Sequence, residues 1–198
     1  MAEPGARDPV LHVIAGPNGA GKTTFSERLL APVTHLELVN ADVIAGERWP
    51  DGPAETAYEA AALAAEERSH RISARRSFAT ETVFSHPSKL ELLREARAAG
   101  YRLTLHVVTV PVELAVARVA NRVSLGGHFA PETKVRERYG RLFAILADAV
   151  VVAHEMLVYD NSRAVTPFRE VAVFLDGHLG GNPAWPHWMP DPLRSAGQ

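Results

Sequence analysis

Gly16-Pro17-Asn18-Gly19-Ala20-Gly21-Lys22-Thr23, with Thr24 following, is the stretch on which the reading of this chain turns. It meets the pattern G-x-x-x-x-G-K-[ST] at every required position. Glycines at the fixed positions let backbone amides curl around phosphate oxygens without a Cβ in the way. Lys22 brings a mobile cation to the β- and γ-phosphates, and the Thr23 hydroxyl suits Mg²⁺. Gly16, Asn18, Gly19, Ala20, Gly21, Lys22, Thr23 and Thr24 are therefore the candidates for holding ATP, with Thr23 on the Mg²⁺.

The flanks agree with this reading. Residues 10–15 form a short apolar run suited to a strand, and residues 24–30 suit a helix whose N-terminus faces the phosphates. Further out, short apolar runs alternate with helical patterns, which predicts a parallel sheet covered on both faces. Residues 36–40 read as a second strand ending in Asn40-Ala41-Asp42. The Ala- and Glu-rich stretch 53–76 predicts one long helix, and residues 77–82 a short third strand. An amphipathic helix over 90–99 stops at Gly100, and residues 101–110 give the clearest strand, rich in β-branched side chains. A helix over 112–122 precedes Gly126-Gly127. Pro131 then opens another helix, with Val135, Tyr139, Leu142, Phe143 and Leu146 on one face. Residues 156–161 and 171–176 are late strands, and the Pro-rich tail over 180–198 reads as irregular.

The expected fold class is α/β: a three-layer P-loop NTPase with a mostly parallel central sheet and a short helical lid. One domain is expected over 1–198, with its core at 10–176 and the lid at 118–140. Composition sets the outer bounds. The 198 residues are 46% hydrophobic and 22% charged, with a net charge of −2, which suits one globular domain with a proper core. That balance counts against a broad nucleic-acid surface. No cysteine occurs, so disulfides, Cys-based metal sites and a Cys nucleophile are excluded. Residues 1–9 are polar and carry Glu3 and Asp8, unlike a signal peptide. No apolar run approaches the ~18 residues of a membrane span, so a cytoplasmic protein off the membrane is expected.

A phosphate loop alone leaves several activities open. No Asn-Lys-x-Asp guanine signature and no Leu-Ser-Gly-Gly-Gln signature is present, which counts against GTPases and ABC-type ATPases. A small-molecule kinase remains: nucleotide on the loop, a phosphoryl acceptor across the carboxyl ends of the strands, and a basic lid over both. Asp42 stands just past the second strand, where a carboxylate can take the proton of an acceptor hydroxyl. The alternative for Asp42 is a helix N-cap ahead of Val43. Glu81 and Thr82 end the third strand at the same sheet edge, where open α/β sheets bind ligands. Glu81 as a solvent-facing strand end is the competing reading.

Arg118 and Arg122, four residues apart, share a helix face and can stabilise a transferring phosphoryl group. Arg136, Arg138 and Arg141 follow the Gly126-Gly127 break. A solvated helix face is the plainer reading for Arg136 and Arg141. His106 reads as a packed or hydrogen-bonded strand histidine. Trp185 and Trp188 read as sealing the tail onto the core. The loop Asp160-Asn161-Ser162 suits either an adenine contact or a simple turn.

The ordered set of motifs resembles the zeta-toxin-like P-loop kinases. It runs from the phosphate loop through Asn40-Ala41-Asp42, Phe78-Ala79-Thr80-Glu81-Thr82, Gly100-Tyr101 and Arg118-Val119-Ala120-Asn121-Arg122-Val123. Gly126-Gly127-His128 with Pro131, Arg138-Tyr139 and Asp160-Asn161-Ser162 complete it, so the likeness spans about residues 10–165. Zeta toxins of type II toxin–antitoxin systems phosphorylate the sugar 3′-hydroxyl of UDP-N-acetylglucosamine. The resemblance implies ATP and Mg²⁺ on Lys22 and Thr23, Asp42 as general base, Glu81 at the acceptor and Arg118 on the transferring group. It also implies Asn40, Thr82 and His128 near the acceptor, a nucleotide sugar as that acceptor, and an antitoxin as partner. Where the better-known toxins carry a second lid arginine before the proline, this chain has His128. Arg122, Arg138 or His128 then completes the lid. A kinase for another acceptor (an antibiotic, a dinucleotide, a polynucleotide end) and a non-catalytic ATP-binding switch are the other readings.

Overall fold

Residues 8–50, 56–124 and 131–197 are described by a computed structural model of the protein. The strands are β1 (Val10–Ala15), β2 (Leu38–Val39), β3 (Phe78–Thr82), β4 (Arg102–Thr109), β5 (Glu155–Asp160), β6 (Arg169–Leu175) and β7 (His178–Gly180). They form one seven-stranded sheet in the order β2-β3-β1-β4-β5-β6-β7. The first five are mutually parallel, and β6 and β7 add as antiparallel strands. This is the α/β, mostly parallel, P-loop NTPase-like fold that the alternation of apolar runs predicts.

Because β1 to β5 run the same way, the segments following them open on one edge of the sheet. Register aligns that edge: Ile14 pairs with Glu81, Ala15 with Thr82, Val39 with Thr80 and Thr109 with Asp160. β3, weak in sequence, lies between β2 and β1 with Phe78, Ala79 and Thr80 buried. The Thr80 hydroxyl donates to the Val39 carbonyl at 2.8 Å and ties in the two-residue β2. Only Leu38 and Val39 of the expected second strand pair, since it is the sheet's edge.

Helices fill the crossovers: α1 (Lys22–Phe25), α2 (Ala31–Thr34), α3 (Ala41–Arg48), α4 (Ala57–Ser73), α5 (Ser88–Ala98), α6 (Val112–Ser124), α7 (Glu132–Ala149) and α8 (Asp191–Arg194). The helix expected over 24–30 is a composite. Between α1 and α2 the turn Ser26–Leu30 is π-helical, with the Ala31 amide donating to the Ser26 carbonyl. Pro32 in the next turn has no N–H and crowds the carbonyl four residues back, so widening the preceding turn relieves the conflict. On α7, Val135, Tyr139, Leu142, Phe143 and Leu146 are buried as their spacing predicts.

Residues 181–190 carry no helix or strand, as expected of the tail, but the segment is packed and ends in the short α8. Asp176 and Gly177, both at positive φ, turn β6 into β7. Ala184 donates to the Val171 carbonyl at 2.7 Å, and Met189 and Leu193 of the α8 region are buried. Trp185 and Trp188 pack on the core, with the Trp185 ring 6.3 Å from Phe174, so the tail is a cover for the β6 end. Among the described residues, no helix is long and apolar enough to cross a membrane.

His106 is the packed histidine its strand position suggests, and it has a partner. His12 Nδ1 and His106 Nε2 lie 3.0 Å apart, one donating to the other, with the rings stacked at 5.3 Å. Phe25 and Tyr159 close over them. Burial, then the neighbouring His12, pushes His106 from 6.5 down to about 3; burial also lowers His12 against the pull of Glu155. A lowered histidine pKa means that the fold binds fewer protons than the unfolded chain. Its stability is complete above the ordinary value of 6.5 and is lost as pH falls from there toward 3. Thermal unfolding followed from pH 7 to pH 4 should show a falling midpoint in the wild type and a shallower slope in His106→Phe. Equal slopes would remove the pair from the acid response.

Candidate active site

Along the shared strand edge lies a cavity of about 750 Å³. The phosphate loop, the β2–α3 junction, the end of β3 and the facing sides of α4, α6 and α7 line it.

The loop is built against the sheet at contact distance. At Gly16 a Cβ would overlap the Val108 carbonyl of β4, so no other residue fits there. Gly21 has φ +94°, and a Cβ on it would stand 2.6 Å from Asn161 Nδ2. The backbone amides of Gly21, Lys22 and Thr23 donate to no backbone carbonyl among the described residues, which leaves them for an anion. Asn161 braces the loop from behind: its Nδ2 donates to the Ala20 carbonyl at 2.8 Å, and its own amide donates to the Thr109 carbonyl at 2.9 Å. Asp160 accepts from the Ser162 amide at 2.8 Å and from Arg169 at 3.3 Å. The Asp160 side chain closes on the Ser162 amide, and Asn161 between them holds the phosphate loop.

Lys22 is buried, with its ammonium donating to the Pro17 carbonyl at 3.2 Å and standing 4.0 Å from Glu81. Burial lowers its pKa, offset in part by the charges of Glu81 and Asp42, while Arg122 lowers it further. Burial likewise raises Glu81, with Lys22, Thr23 and Asn40 pulling it down and Asp42 pushing it up. These opposed shifts describe one tightly packed group of charges. Glu81 is held in place by the Thr23 hydroxyl, which donates to both carboxylate oxygens at 3.2 Å, and by Asn40 Nδ2 at 3.1 Å. Glu81 is thus no solvent-facing strand end.

Asn40, not Asp42, caps α3. Its Oδ1 accepts from the Asp42 amide at 2.7 Å while its Nδ2 holds Glu81. The capping reading of Asp42 is therefore corrected: β2 ends one residue before Asn40, which takes the extended conformation that a cap needs. Asp42 sits exposed in the first helical turn and lines the cavity. Its carboxylate accepts no hydrogen bond in the residues described. Thr82 lines the cavity beside it.

Arg118 lies across the phosphate loop, donating to the Gly19 carbonyl at 3.4 Å and to the Asn161 carbonyl at 3.2 Å. Arg122 and Arg138 line the same cavity. Arg136 does not: it forks onto Glu113 at 2.7 Å through both terminal nitrogens and also pairs with Glu132, bridging α6 and α7 in solvent. Arg141 is exposed, as the solvated-face reading expects, and one turn of α7 beyond Arg138 it also lines the cavity. His128 and Gly126-Gly127 lie outside the described residues.

Sequence reasoning missed Arg68, His86 and Lys89, all of which line the cavity. For Arg68 a signal existed. It continues the face of Ala57, Ala61 and Ala64, where a charged side chain breaks an otherwise small-residue stripe. For His86 and Lys89 nothing in the sequence pointed inward.

The family model described as "AAA domain" matches residues 11–145, more than half of the chain. An uncharacterized protein of Haemophilus influenzae is 29% identical over 125 residues, 63% of this chain and 88% of that protein. The fold is shared with AvrRxo1-ORF1:-ORF2 with ATP, at a TM-score of 0.69 and 15% identity over 87% of this chain. This chain spans 60% of that protein's length. The PezAT chromosomal toxin–antitoxin system of Streptococcus pneumoniae matches at a TM-score of 0.60, with 14% identity over 83% of this chain and 72% of that one. Shikimate kinase from Acinetobacter baumannii in complex with shikimate matches at 0.52, with 20% identity over 79% and 86% of the two chains. Matched over most of its sheet and phosphate loop, and folded as small-molecule P-loop kinases are, the chain belongs to the AAA-domain family.

Proposed function

We propose that the protein is a phosphotransferase that moves the γ-phosphoryl group of ATP to a hydroxyl of a small molecule. The acceptor that its resemblance to zeta-toxin-like kinases implies is a nucleotide sugar such as UDP-N-acetylglucosamine. The observation that carries this reading is the division of labour between the carboxylates lining the cavity among the described residues. Glu81 is engaged by Thr23, Asn40 and Lys22, whereas Asp42 is exposed and uncommitted.

The bound nucleotide supplies the transferable group, and Mg²⁺ neutralises part of its charge. The residues present fit both. The amides of Gly21, Lys22 and Thr23 donate to no backbone carbonyl among the described residues, and Thr23 and Glu81 together offer oxygen ligands to a hard cation. Asp42 accepts the proton of the acceptor hydroxyl. Lys22 holds the β- and γ-phosphates, and Arg118 with Arg122 stabilises charge on the equatorial oxygens as transfer proceeds. Arg138 stands ready as a further lid cation. An antitoxin of the kind named for the S. pneumoniae system would act on this chain by covering the cavity.

Mass spectrometry after incubation with ATP, Mg²⁺ and a panel of nucleotide sugars tests the reading. UDP-N-acetylglucosamine should gain one phosphate with the wild type and none with Lys22→Ala. No gain on any sugar, with ATP still bound, would remove the nucleotide-sugar acceptor.

A further inference from the structure

The cavity holds a second pair of cations that the transfer chemistry leaves unused. Arg68 of α4 and Lys89 of α5 line it. Arg68 belongs to the buried stripe Ala60, Ala64, Arg68 and Ile72, where a core residue would be expected, and is 7% exposed. Ala57 and Ala61 of the same helix also line the cavity, and their small side chains keep the space before Arg68 open.

Neither cation is satisfied by the described residues. No carboxylate lies within ion-pair distance of Arg68 or Lys89 among them, and neither side chain donates a hydrogen bond there. Burial pushes both groups down in pKa, and the Arg68 charge adds to the effect on Lys89, so the two share one space. A buried cation without a counter-charge lowers stability, and replacing it by an apolar side chain commonly raises it. Arg68 is buried and Lys89 half-buried, and a ligand that supplies an anion would offset the cost of both.

We propose that Arg68 and Lys89 form an anion subsite, separate from the phosphate loop, that binds a phosphate group carried by the acceptor. The acceptor is then a phosphorylated alcohol. The proposal rests on the reading of the cavity as a phosphotransferase site. Phosphate is favoured over carboxylate because two cations converge on the subsite. A dianion matches that charge, and the guanidinium fork of Arg68 fits two of its oxygens.

The test is isothermal titration of inorganic phosphate into the full chain saturated beforehand with Mg²⁺ and AMP-PNP, so that the phosphate loop is filled. Acetate is titrated in parallel. Phosphate should bind more tightly than acetate. Arg68→Met and Lys89→Gln should each weaken phosphate by about tenfold or more, the loss of a charge-assisted hydrogen bond. Both variants should bind AMP-PNP as the wild type does, and Arg68→Met should unfold at the wild-type temperature or above it. Absence of phosphate binding to the loaded wild type, equal binding by the variants, or a preference for acetate overturns the subsite. Failure of the underlying reading looks different. Phosphate binding that depends on Arg68, without transfer to any alcohol, removes the phosphotransferase and keeps the subsite. Transfer to a neutral alcohol at an unchanged rate in Arg68→Met removes the subsite and keeps the phosphotransferase.

Discussion

Asp42→Asn is expected to lower phosphoryl transfer by about 10²–10⁴ while leaving ATP affinity within a few-fold of wild type, the usual weight of a positioned general base. The substitution keeps the size and shape of the side chain and the Asn40 cap, whose bond is to the Asp42 backbone amide. What it removes is the capacity to take a proton. Glu81 is badly placed to compensate, because its carboxylate is fixed by Thr23, Asn40 and Lys22. The check is kcat at saturating ATP and acceptor, beside a nucleotide-binding isotherm. Wild-type turnover in Asp42→Asn would displace the base assignment.

Arg118→Ala carries the other large effect, a fall in kcat of about 10³–10⁵, as for arginines that meet the transferring phosphoryl group. In the structure its guanidinium rests on two neutral carbonyls, Gly19 and Asn161, at 3.4 and 3.2 Å. Both bonds are long, so little holds the side chain back from a γ-phosphoryl group beside Gly19. A purely structural clamp on the loop would raise the dissociation constant for ATP and leave kcat alone. A residue that stabilises transferring charge shows the reverse split. Arg118→Lys should recover only a small part of the rate, since an ammonium cannot fork across two oxygens. A change confined to ATP affinity would reassign Arg118 to loop support.

The phosphate loop, the strand-end carboxylates and the order of strands and helices were legible in the sequence because each depends on local pattern. Gly16 and Gly21 announce close backbone approach, and Asp42 and Glu81 stand at the ends of short apolar runs. Other features depend on what lies opposite, which no local pattern records. Asn40 rather than Asp42 caps α3 because β2 ends early at the sheet edge. Arg141 lines the cavity while staying exposed, and Arg136 is tied instead to Glu113 of the neighbouring α6. Arg68 needed the knowledge that the alanine face of α4 opens on a cavity rather than on the core. The π-helical turn before Pro32 and the folded tail around Met189 and Leu193 likewise reflect tertiary packing over propensity.

The central claim is that this cavity transfers a phosphoryl group to an alcohol rather than hydrolysing ATP or merely binding it. The direct measurement is incubation of the protein with ATP labelled at the γ-phosphate, Mg²⁺ and a mixture of small metabolites, followed by separation of the label. Label on an organic small molecule with the wild type, absent with Lys22→Ala and strongly reduced with Asp42→Asn, is the predicted result. Label confined to ATP and inorganic phosphate, with the nucleotide still bound, would contradict it.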